Sequence, residues 1–521
     1  MKLDFINKKS HFVVSLAILG FCFSINNTSY AETIQDSDLN TNLNAQESTF
    51  NSAENQTNHE NLLANKSEQE NTPTVNKTSA EFQTDPDIPT MNKTPCETKL
   101  HLNTPSDESD ADENIVPVLD LKGGVQTHEV KKETPLEIWL NQDTATGNWK
   151  GLRSKLEDNG VTFTGSYTTN SFTKGHGGGI LHNGKPSYQG IINTAVEFDT
   201  EKMHLYPGGK LFVLFQNAQG KGISEKYVGD YMVFESLDPQ KKITQLSEYW
   251  YEQSLFSEKI KVKIGKQDGC SEFMGLDTGA EFINSGFTFI ATAPIPTYPD
   301  PAIGFVTTIQ PTENTYLKYG FFDGSGVGSE SGFNTIFHKD NAYMHIGEIG
   351  VTHSIKNHPG KVLYGMWLHT ADAEELLSQD VLDSGVEAGT FPSNQGMYTE
   401  FEQMIFKEKV DNIEDNQGLN VFGQFGWSPP NKSELTKYFG TGLAYKGLIP
   451  KRDNDTLGVA INTAKFSKRL GHVKGESVLE VFYKICVTPW LYIQPDFQWI
   501  NKPYYADKSA IVFGIRTNID F

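Results

Sequence analysis

The last twelve residues of the chain, 510–521, alternate between two faces without a break. The first face carries Ile511, Phe513, Ile515, Thr517, Ile519 and Phe521, and the second carries Ala510, Val512, Gly514, Arg516, Asn518 and Asp520. A period of two residues predicts a β-strand whose sides meet different surroundings. In a barrel embedded in lipid, the apolar side meets hydrocarbon and the polar side meets a wet lumen. An edge strand of a soluble β-protein is the alternative, and the end of the chain on Phe521 favours the barrel.

Two segments before this strand repeat the pattern. Between residues 476 and 487, Leu479, Val481, Tyr483, Ile485 and Val487 face one way, and Glu476, Glu480 and Lys484 face the other. After Thr488 and Pro489, the set Leu491, Ile493, Pro495, Phe497 and Trp499 alternates with Tyr492, Gln494, Asp496 and Gln498. Consecutive dyadic strands that carry aromatic residues are typical of a transmembrane barrel. The pattern therefore predicts an all-β, antiparallel transmembrane β-barrel.

The amino end predicts export across a membrane. Lys2, Lys8 and Lys9 precede an apolar core at 12–23, and a small-x-small site ends at Ala31. This pattern is typical of a secretory signal peptide, here residues 1–31. A lipoprotein site at Cys22 is the alternative, although the bulky Phe21 disfavours it. No later apolar run reaches the length of about 18 residues that a spanning helix needs, so we expect the mature chain to cross the membrane as strands.

Residues 32–134 differ in composition from the rest of the chain. As far as about residue 113 they are mostly Asn, Thr, Glu, Ser and Gln, with almost no aromatic residue. Such a segment cannot bury enough apolar surface to offset the entropy of ordering, and we expect a disordered polar extension. A short apolar stretch at 115–125 is the part that could dock. The barrel domain is then expected at 135–521.

Charge and cysteine content narrow the choice of partner. The formal net charge of −21 argues against a nucleic-acid partner, because phosphate binding needs a basic footprint. Of the four cysteines, Cys270 and Cys486 fall in the expected barrel. An oxidising compartment would permit a disulfide between them, but one distant pair is not a framework, and we expect two free structural thiols.

Several motifs between residues 139 and 521 resemble one family in combination. They are TGNWKGLRSKLEDNGVTF (146–163), LSEYWYEQSLF (246–256), VKIGKQDGCSEF (262–273), FINSGF (282–287), PTYPDPAIG (296–304), YGFFDGSG (319–326), NQGL (416–419) and PWLYIQPDFQWI (489–500). The first reads as a short helix that stops at Gly160, followed by a strand. In this order the motifs are similar to the carbohydrate-selective porins of the OprB family. The extension before residue 130 departs from the usual family pattern.

The resemblance implies a 16-stranded outer-membrane barrel with a short N-terminal periplasmic helix and a lumen narrowed by inward-folded loops. It implies passive diffusion of monosaccharides such as glucose, with no cofactor and no enzymatic step. The terminal Phe521 resembles the signal by which the barrel assembly machinery recognises outer-membrane proteins. Outer-membrane lipid is the other expected partner. A chain of this length is compatible with such a barrel, which leaves an aqueous channel.

A hexose offers hydroxyls at its edge and partly apolar faces, so a site that attracts it needs charged or amide groups and an aromatic ring. Strand parity places Glu248, Trp250 and Glu252 on one wall face, and Lys263 on the inward face of the next strand with Asp268 at its end. The complete set of candidate lumen residues is Glu248, Trp250, Glu252, Lys263, Asp268, Arg452, Glu480, Lys484 and Arg516. Each could instead serve general wall solvation. Trp250 could belong to an interfacial girdle, and Arg452 could pair with Asp453 or Asp455 at a strand mouth.

Other function classes are weaker. A general, weakly selective porin would share everything except the affinity for sugar. A secreted β-rich adhesin would not need the C-terminal aromatic residue. For an outer-membrane enzyme, the sequence HGGG at 176–179 matches part of a lipase oxyanion hole, but there is no G-x-S-x-G element, and a loop after the first strand explains it better.

Overall fold

The computed structural model describes residues 134–177, 186–238, 242–325, 342–410, 412, 415–470, 475–506 and 508–521, with the backbone alone at 115–119, 125–129 and 176–177. The expected signal peptide and most of the polar extension lie outside the described residues. Strands β1 (Ile115–Leu119) and β2 (Val125–Glu129) form an antiparallel pair. No helix in the described ranges is long and apolar enough to cross a membrane.

Sixteen antiparallel strands form a closed barrel in which each strand pairs with the next and the last pairs with the first. The barrel strands are β3 (Val161–Gly177), β4 (Tyr188–Asp199), β5 (Gly209–Lys221), β6 (Ile243–Leu255), β7 (Ile260–Gln267), β8 (Ala302–Thr312), β9 (Thr315–Asp323), β10 (Tyr343–Ile355), β11 (His358–His369), β14 (Asn394–Lys407), β15 (Gly418–Trp427), β16 (Leu435–Lys446), β17 (Thr456–Phe466), β18 (Glu476–Thr488), β19 (Leu491–Asn501) and β20 (Ala510–Asp520). A separate pair, β12 (Ala373–Glu374) with β13 (Thr390–Phe391), lies in the β11–β14 connection. The predicted antiparallel barrel is confirmed.

The two rims of the barrel differ in their connections. The rim at which β3 begins and β20 ends carries tight turns, such as 313–314, 356–357 and 489–490, and we call it the turn rim. Lys356 and Asn357 both have positive φ, which is the geometry of a two-residue hairpin turn that follows the strand twist. The opposite rim, the loop rim, carries long connections. Two of these connections are loop A (residues 222–242) and loop B (residues 268–301).

The short helices lie before the barrel and within the loops. They are α1 (Pro135–Asn141), α2 (Leu152–Asp158), α3 (Asp277–Ala280), α4 (Ser285–Thr288) and α5 (Gln379–Asp383), with a π-turn at Ser224–Val228 and 3-10 turns at Trp149–Gly151 and Lys468–Leu470. A capping box between Thr134 and Glu137 starts α1. Gly160 ends the turn after α2 with φ +81°, as the sequence predicts, and a Cβ there would lie 2.6 Å from the Asp199 carbonyl oxygen.

The segment before β3 holds the end of β20 at the turn rim. Arg153 donates a 2.7 Å hydrogen bond to the carbonyl oxygen of Phe521, and the amide of Ala145 donates to the carbonyl oxygen of Asp520. Trp139 packs on Trp490 with ring centroids 4.6 Å apart. The segment that precedes β3 therefore covers the seam at which β3 and β20 close the barrel.

The wall alternates as the sequence predicts. Along β18 the inward residues, among them Glu476, Glu480 and Lys484, are buried, whereas the outward residues that alternate with them are partly exposed or exposed. On β20, Phe513 and Ile515 are about half exposed on the outer face, whereas Arg516 is buried inside. β3 is longer than expected, because it continues through residue 177 and includes the first half of the HGGG sequence. Residues 178 and 179 of that sequence lie outside the described residues.

Loops A and B fold into the barrel and fill much of its interior. Loop A contributes Phe234 and loop B contributes Phe273, Phe289 and Ile290 to one buried apolar cluster that includes wall residues. A second cluster packs Phe282 and Phe287 of loop B against two wall phenylalanines, Phe422 and Phe482. The resemblance implied a lumen narrowed by inward-folded loops, and the structure shows two.

Candidate functional site

Glu480 holds loop B against the wall. Its carboxylate accepts hydrogen bonds from the backbone amides of Ile283 at 2.6 Å and Asn284 at 2.9 Å. The Asn284 side chain donates to Gln498 on the next strand. Because Glu480 is fully buried and both oxygens are engaged, it anchors the loop and does not face an open lumen.

Glu476 has the corresponding role for loop A. Its carboxylate accepts from the amides of Tyr231 and Met232 in loop A, at 2.8 and 3.0 Å, and from the amide of Tyr504 in the β19–β20 connection, at 2.9 Å. The alternation of β18 places this residue inward, but no sequence motif distinguishes it from the other inward residues. Its three donors come from parts of the chain far away in sequence.

Two further wall carboxylates bind loop B. Glu348 on β10 accepts from the amide of Met274 at 3.0 Å and from the hydroxyl of Tyr398 at 2.8 Å. Glu402 on β14 accepts from the amide and the hydroxyl of Thr278. These residues were missed by sequence reasoning. Wall carboxylates that accept hydrogen bonds from backbone amides thus hold loop A and loop B at several points around the barrel.

Arg516 also contacts loop A. It donates to the Asn170 side chain at 2.9 Å and to the Ser236 hydroxyl at 3.0 Å, and Asn170 donates to Glu235 at 2.6 Å. Burial, together with the nearby carboxylate of Asp238, raises the pKa of Glu235 to about 8. Arg516 is therefore part of a buried network beneath loop A.

Lys484 forms an ion pair of 2.7 Å with Glu281 of loop B, and its ammonium lies 4.9 Å from the ring centroid of Tyr492. The Glu281 side chain is about one-third exposed, so this pair marks a place where loop B and the wall meet solvent. Lys484 is itself buried and anchors loop B, and the pair meets water through Glu281.

Asp268 closes the base of loop B. Its carboxylate accepts from the amide of Cys270 at 2.8 Å, the hydroxyl of Thr297 at 2.9 Å and the amide of Tyr298 at 3.1 Å. Its own amide donates to Glu248 on β6. Burial raises the pKa of Asp268, and these donors oppose that rise. Asp268 joins the two ends of the loop and is shielded from the lumen.

A strip of opposite charges, on the inner face of β4 to β7 and on the part of loop B that faces it, is partly exposed to solvent. We call it the charged strip, and it consists of Glu197, Lys210, Glu252, Lys263 and Glu272. Glu197 pairs with Lys210 at 3.2 Å, and Glu252 lies opposite both Lys210 and Lys263 in the strand register. Lys263 pairs with Glu272 of loop B, and each of these two side chains is 14% exposed.

The electrostatics of the strip favour ionised groups. Burial alone would raise the pKa of Glu272, but Lys263 and Lys318 outweigh that effect and hold the pKa below its usual range. Lys318 also donates to the backbone carbonyl of Glu272 at 2.8 Å. With three carboxylates and two ammonium groups, the strip offers both acceptors and donors of hydrogen bonds to a polyhydroxylated solute.

Trp250 supports this strip from the inner face of β6. Phe212 on β5 stacks on its ring with centroids 4.8 Å apart, and the Lys263 ammonium lies over the ring at 4.0 Å. Gly265, with φ +142°, lies opposite Trp250 on β7, and a Cβ there would be 2.9 Å from the Trp250 Cβ. The ring is therefore held between neighbours from both adjacent strands, which positions Lys263.

Arg452 lies elsewhere, in the β16–β17 turn at the turn rim. It donates two hydrogen bonds to Asp455, at 2.8 and 2.7 Å, and one to the carbonyl oxygen of Cys486. This is the pairing at a strand mouth that the sequence left open. Arg452 is therefore separated along the barrel wall from the charged strip.

The cysteines differ from the expectation. Cys270 is free and buried in loop B, whereas Cys486 is disulfide-bonded. The two therefore do not pair with each other, and the expectation of two free thiols is wrong for Cys486. Within the described ranges, no group of three His, Cys, Asp or Glu side chains could hold a metal ion.

Comparisons with known proteins agree with this architecture. The sequence model of the family described as carbohydrate-selective porin, OprB family, matches residues 184–521. Porin B of Pseudomonas aeruginosa is 20% identical over 438 residues, which cover 76% of this chain and 94% of that protein. The high-pH structure of Pseudomonas putida OprB superposes with a TM-score of 0.67 at 20% identity, covering 73% of this chain and 99% of that one. A closed barrel of this kind and a family match over more than half of its length show that the chain is an outer-membrane β-barrel belonging to the carbohydrate-selective porin family, OprB.

Proposed function

We propose that this porin passes monosaccharides of the glucose type by passive diffusion, and that the charged strip contacts the sugar as it passes loop B. The observation that carries the proposal is the opposed, partly exposed pair Lys263 and Glu272, which joins the wall to an inward-folded loop. Sugar hydroxyls both donate and accept, so they can use an ammonium and a carboxylate in turn. Contacts of this kind are weak enough to release the solute, as conduction requires.

Among the residues expected from the sequence, Glu252, Lys263 and Trp250 support this site. Glu252 and Lys263 belong to the strip, and Trp250 positions Lys263. Lys484 with Glu281 offers a second charge pair along the path. The buried Glu480, Asp268 and Arg516, with Glu248 beneath Asp268, act through the loops they hold, and Arg452 contributes to the turn rim.

The remaining assignments follow from family membership and the sequence. We propose a signal peptide at 1–31, a polar extension at 32–134 and the porin domain at 135–521, which accords with the start of α1 at Pro135. Diffusion through a channel requires no cofactor and no catalytic step. Phe521 is proposed to serve recognition by the barrel assembly machinery, and lipid is proposed to surround the outer face.

The test is single-channel conductance of the refolded protein in a planar bilayer, titrated with glucose and with a non-sugar polyol of similar size. We expect saturable block by glucose that weakens in Lys263→Gln and in Glu272→Gln. Lys356→Gln, which removes an exposed lysine from the turn rim, is the matched control and should leave the block unchanged. Conductance without sugar-dependent block would indicate a general, weakly selective porin.

A further inference from the structure

The outer face of β14 to β17 carries a hollow directly below the loop rim. It has a volume of about 360 Å³ and lies between outward-facing residues of four adjacent strands. Its lining includes Phe401, Phe425, Phe439, Ile461 and Gly423. Phe401, Phe439 and Ile461 are each between 42% and 48% exposed, so the hollow opens towards the lipid.

The threonines that line this hollow do not make it polar. Thr399 donates its hydroxyl to the carbonyl oxygen of Leu363, and Thr441 donates to that of Phe422, both at 2.8 Å. The Thr463 hydroxyl is paired with Ser477 at 2.9 Å. Because each hydroxyl is satisfied within the wall, the hollow can receive a hydrocarbon chain without leaving a polar group unpaired.

Two lysines lie in the row above the hollow. Lys437 on β16 and Lys465 on β17 are direct cross-strand partners, both exposed on the outer face, and Trp427 on β15 is the partner of Lys437 on the other side. This row is two residues, or about 7 Å, from the row of Phe425, Phe439 and Thr463. A tryptophan and lysines at this height are typical of the interface between hydrocarbon and headgroups. Because the long connections of an outer-membrane barrel lie on its extracellular side, this row meets the headgroups of the outer leaflet.

The lysine pair needs an anion. Like charges directly opposite each other on neighbouring strands repel. The Lys465 ammonium lies 5.7 Å from the centroid of the Phe439 ring, and neither lysine has an ion-pair partner in the part of the chain that the structure describes. A phosphate group placed between two ammonium groups would remove the repulsion and form charge-assisted hydrogen bonds.

We propose that the Lys437–Lys465 pair and the hollow beneath it form one binding site for an acylated, phosphorylated lipid of the outer leaflet. The phosphate lies against the two ammonium groups, and one acyl chain enters the hollow. The site is on the outer wall, on strands other than those of the charged strip, and it does not depend on the proposed sugar path. Its chemistry requires both parts of the ligand, the phosphate and the hydrocarbon.

The test is native mass spectrometry of the detergent-solubilised full chain titrated with bisphosphorylated lipid A, with dephosphorylated lipid A and with inorganic phosphate. We expect the phosphorylated lipid to bind roughly tenfold more tightly than the dephosphorylated lipid. Lys437→Gln combined with Lys465→Gln should abolish that difference. Thr441→Phe, which fills the hollow from its lipid-facing side, should weaken binding of both lipids.

The matched control is Lys259→Gln combined with Lys356→Gln, which removes the same charge from exposed turn-rim positions and should bind like the unaltered protein. Folding of every variant is checked by the shift in gel mobility on heating. Equal binding of the two lipids, an unchanged preference in the double glutamine variant, or inorganic phosphate that binds while neither lipid does would each overturn the proposal. Unweakened binding in folded Thr441→Phe would overturn the placement of the acyl chain.

Discussion

Replacing Glu480 with alanine should release part of loop B from the wall. In the structure its carboxylate is the acceptor for the backbone amides of Ile283 and Asn284. Both amides are buried beside the second phenylalanine cluster, so water does not readily replace the lost acceptor. The substitution therefore tests whether wall carboxylates hold the constriction in place.

The magnitude follows from the groups left behind. A buried donor without an acceptor costs about 1–3 kcal/mol, so two amides cost about 2–6 kcal/mol. The apolar anchor of the same segment is Phe282 and Phe287, and burial of a phenylalanine side chain contributes about 1.5–3 kcal/mol, or about 3–6 kcal/mol for both. The two quantities are similar, so the loss of the carboxylate is enough to offset most of the apolar anchoring. Glu480→Gln keeps one acceptor oxygen and should have roughly half the effect.

Two assays measure the release of loop B from the wall. Single-channel conductance should rise in Glu480→Ala, because part of loop B no longer narrows the lumen, and the block by glucose should weaken. Limited digestion with chymotrypsin should cut at Phe282 or Phe287, which are buried in the intact protein. Glu313→Ala, in an exposed turn at the turn rim, is the control and should change neither reading.

A Glu480→Ala protein that is folded, shows the unaltered conductance and resists chymotrypsin in loop B would refute the anchoring role of Glu480. That result would mean that the phenylalanine cluster alone holds the segment. A protein that fails to fold would be replaced by Glu480→Gln, for which the same two assays apply and a smaller change is expected.

Three further predictions concern other parts of the barrel. Trp250→Ala should weaken glucose block in conductance titrations, because Lys263 loses a cation–π contact of about 0.5–2 kcal/mol, and an unchanged block would contradict a positioning role. Arg153→Ala should lower the temperature at which the folded gel band disappears, since the Phe521 carbonyl loses its donor; an unaltered temperature would argue against this contact. Burial holds the pKa of Glu235 at about 8, so the native chain keeps a proton that the unfolded chain has released. Glu235 should therefore contribute stability that is lost as pH rises from about 4.5 to about 8, and heating experiments should show a smaller loss over that interval in Glu235→Gln; an equal loss in the variant would oppose this role.

The relation between sequence and structure differs between the wall and the lumen. The faces of β18, β19 and β20 follow from a period of two, because each wall residue meets either lipid or the interior and the pleat leaves no third choice. Parity likewise placed Trp250, Glu252 and Lys263 inward. The motifs that resemble the OprB family extended this local information to the closed barrel.

Parity could not separate an inward residue that lines the path from one that holds a loop. Glu480, Arg516 and Asp268 are inward or at a strand end, as expected, yet each is buried because loop A or loop B covers it. The amides that donate to Glu480 are about 200 residues away in sequence. Every residue except proline has a backbone amide, so the side chains at those positions do not reveal the contact. For the same reason, the contacts of Glu348, Glu402 and Glu476 with the loops could not be predicted from the sequence.

The sequence by itself thus determined the strands, their two faces and the class of barrel, since these depend on local alternation and on recognisable motifs. The tertiary structure alone decided which inward charges remain in contact with water. That choice depends on how two loops fold back into the lumen and on which wall carboxylates meet their amides. It also brought Lys437 and Lys465 into register above an outer hollow, because cross-strand neighbours are set by pairing between strands.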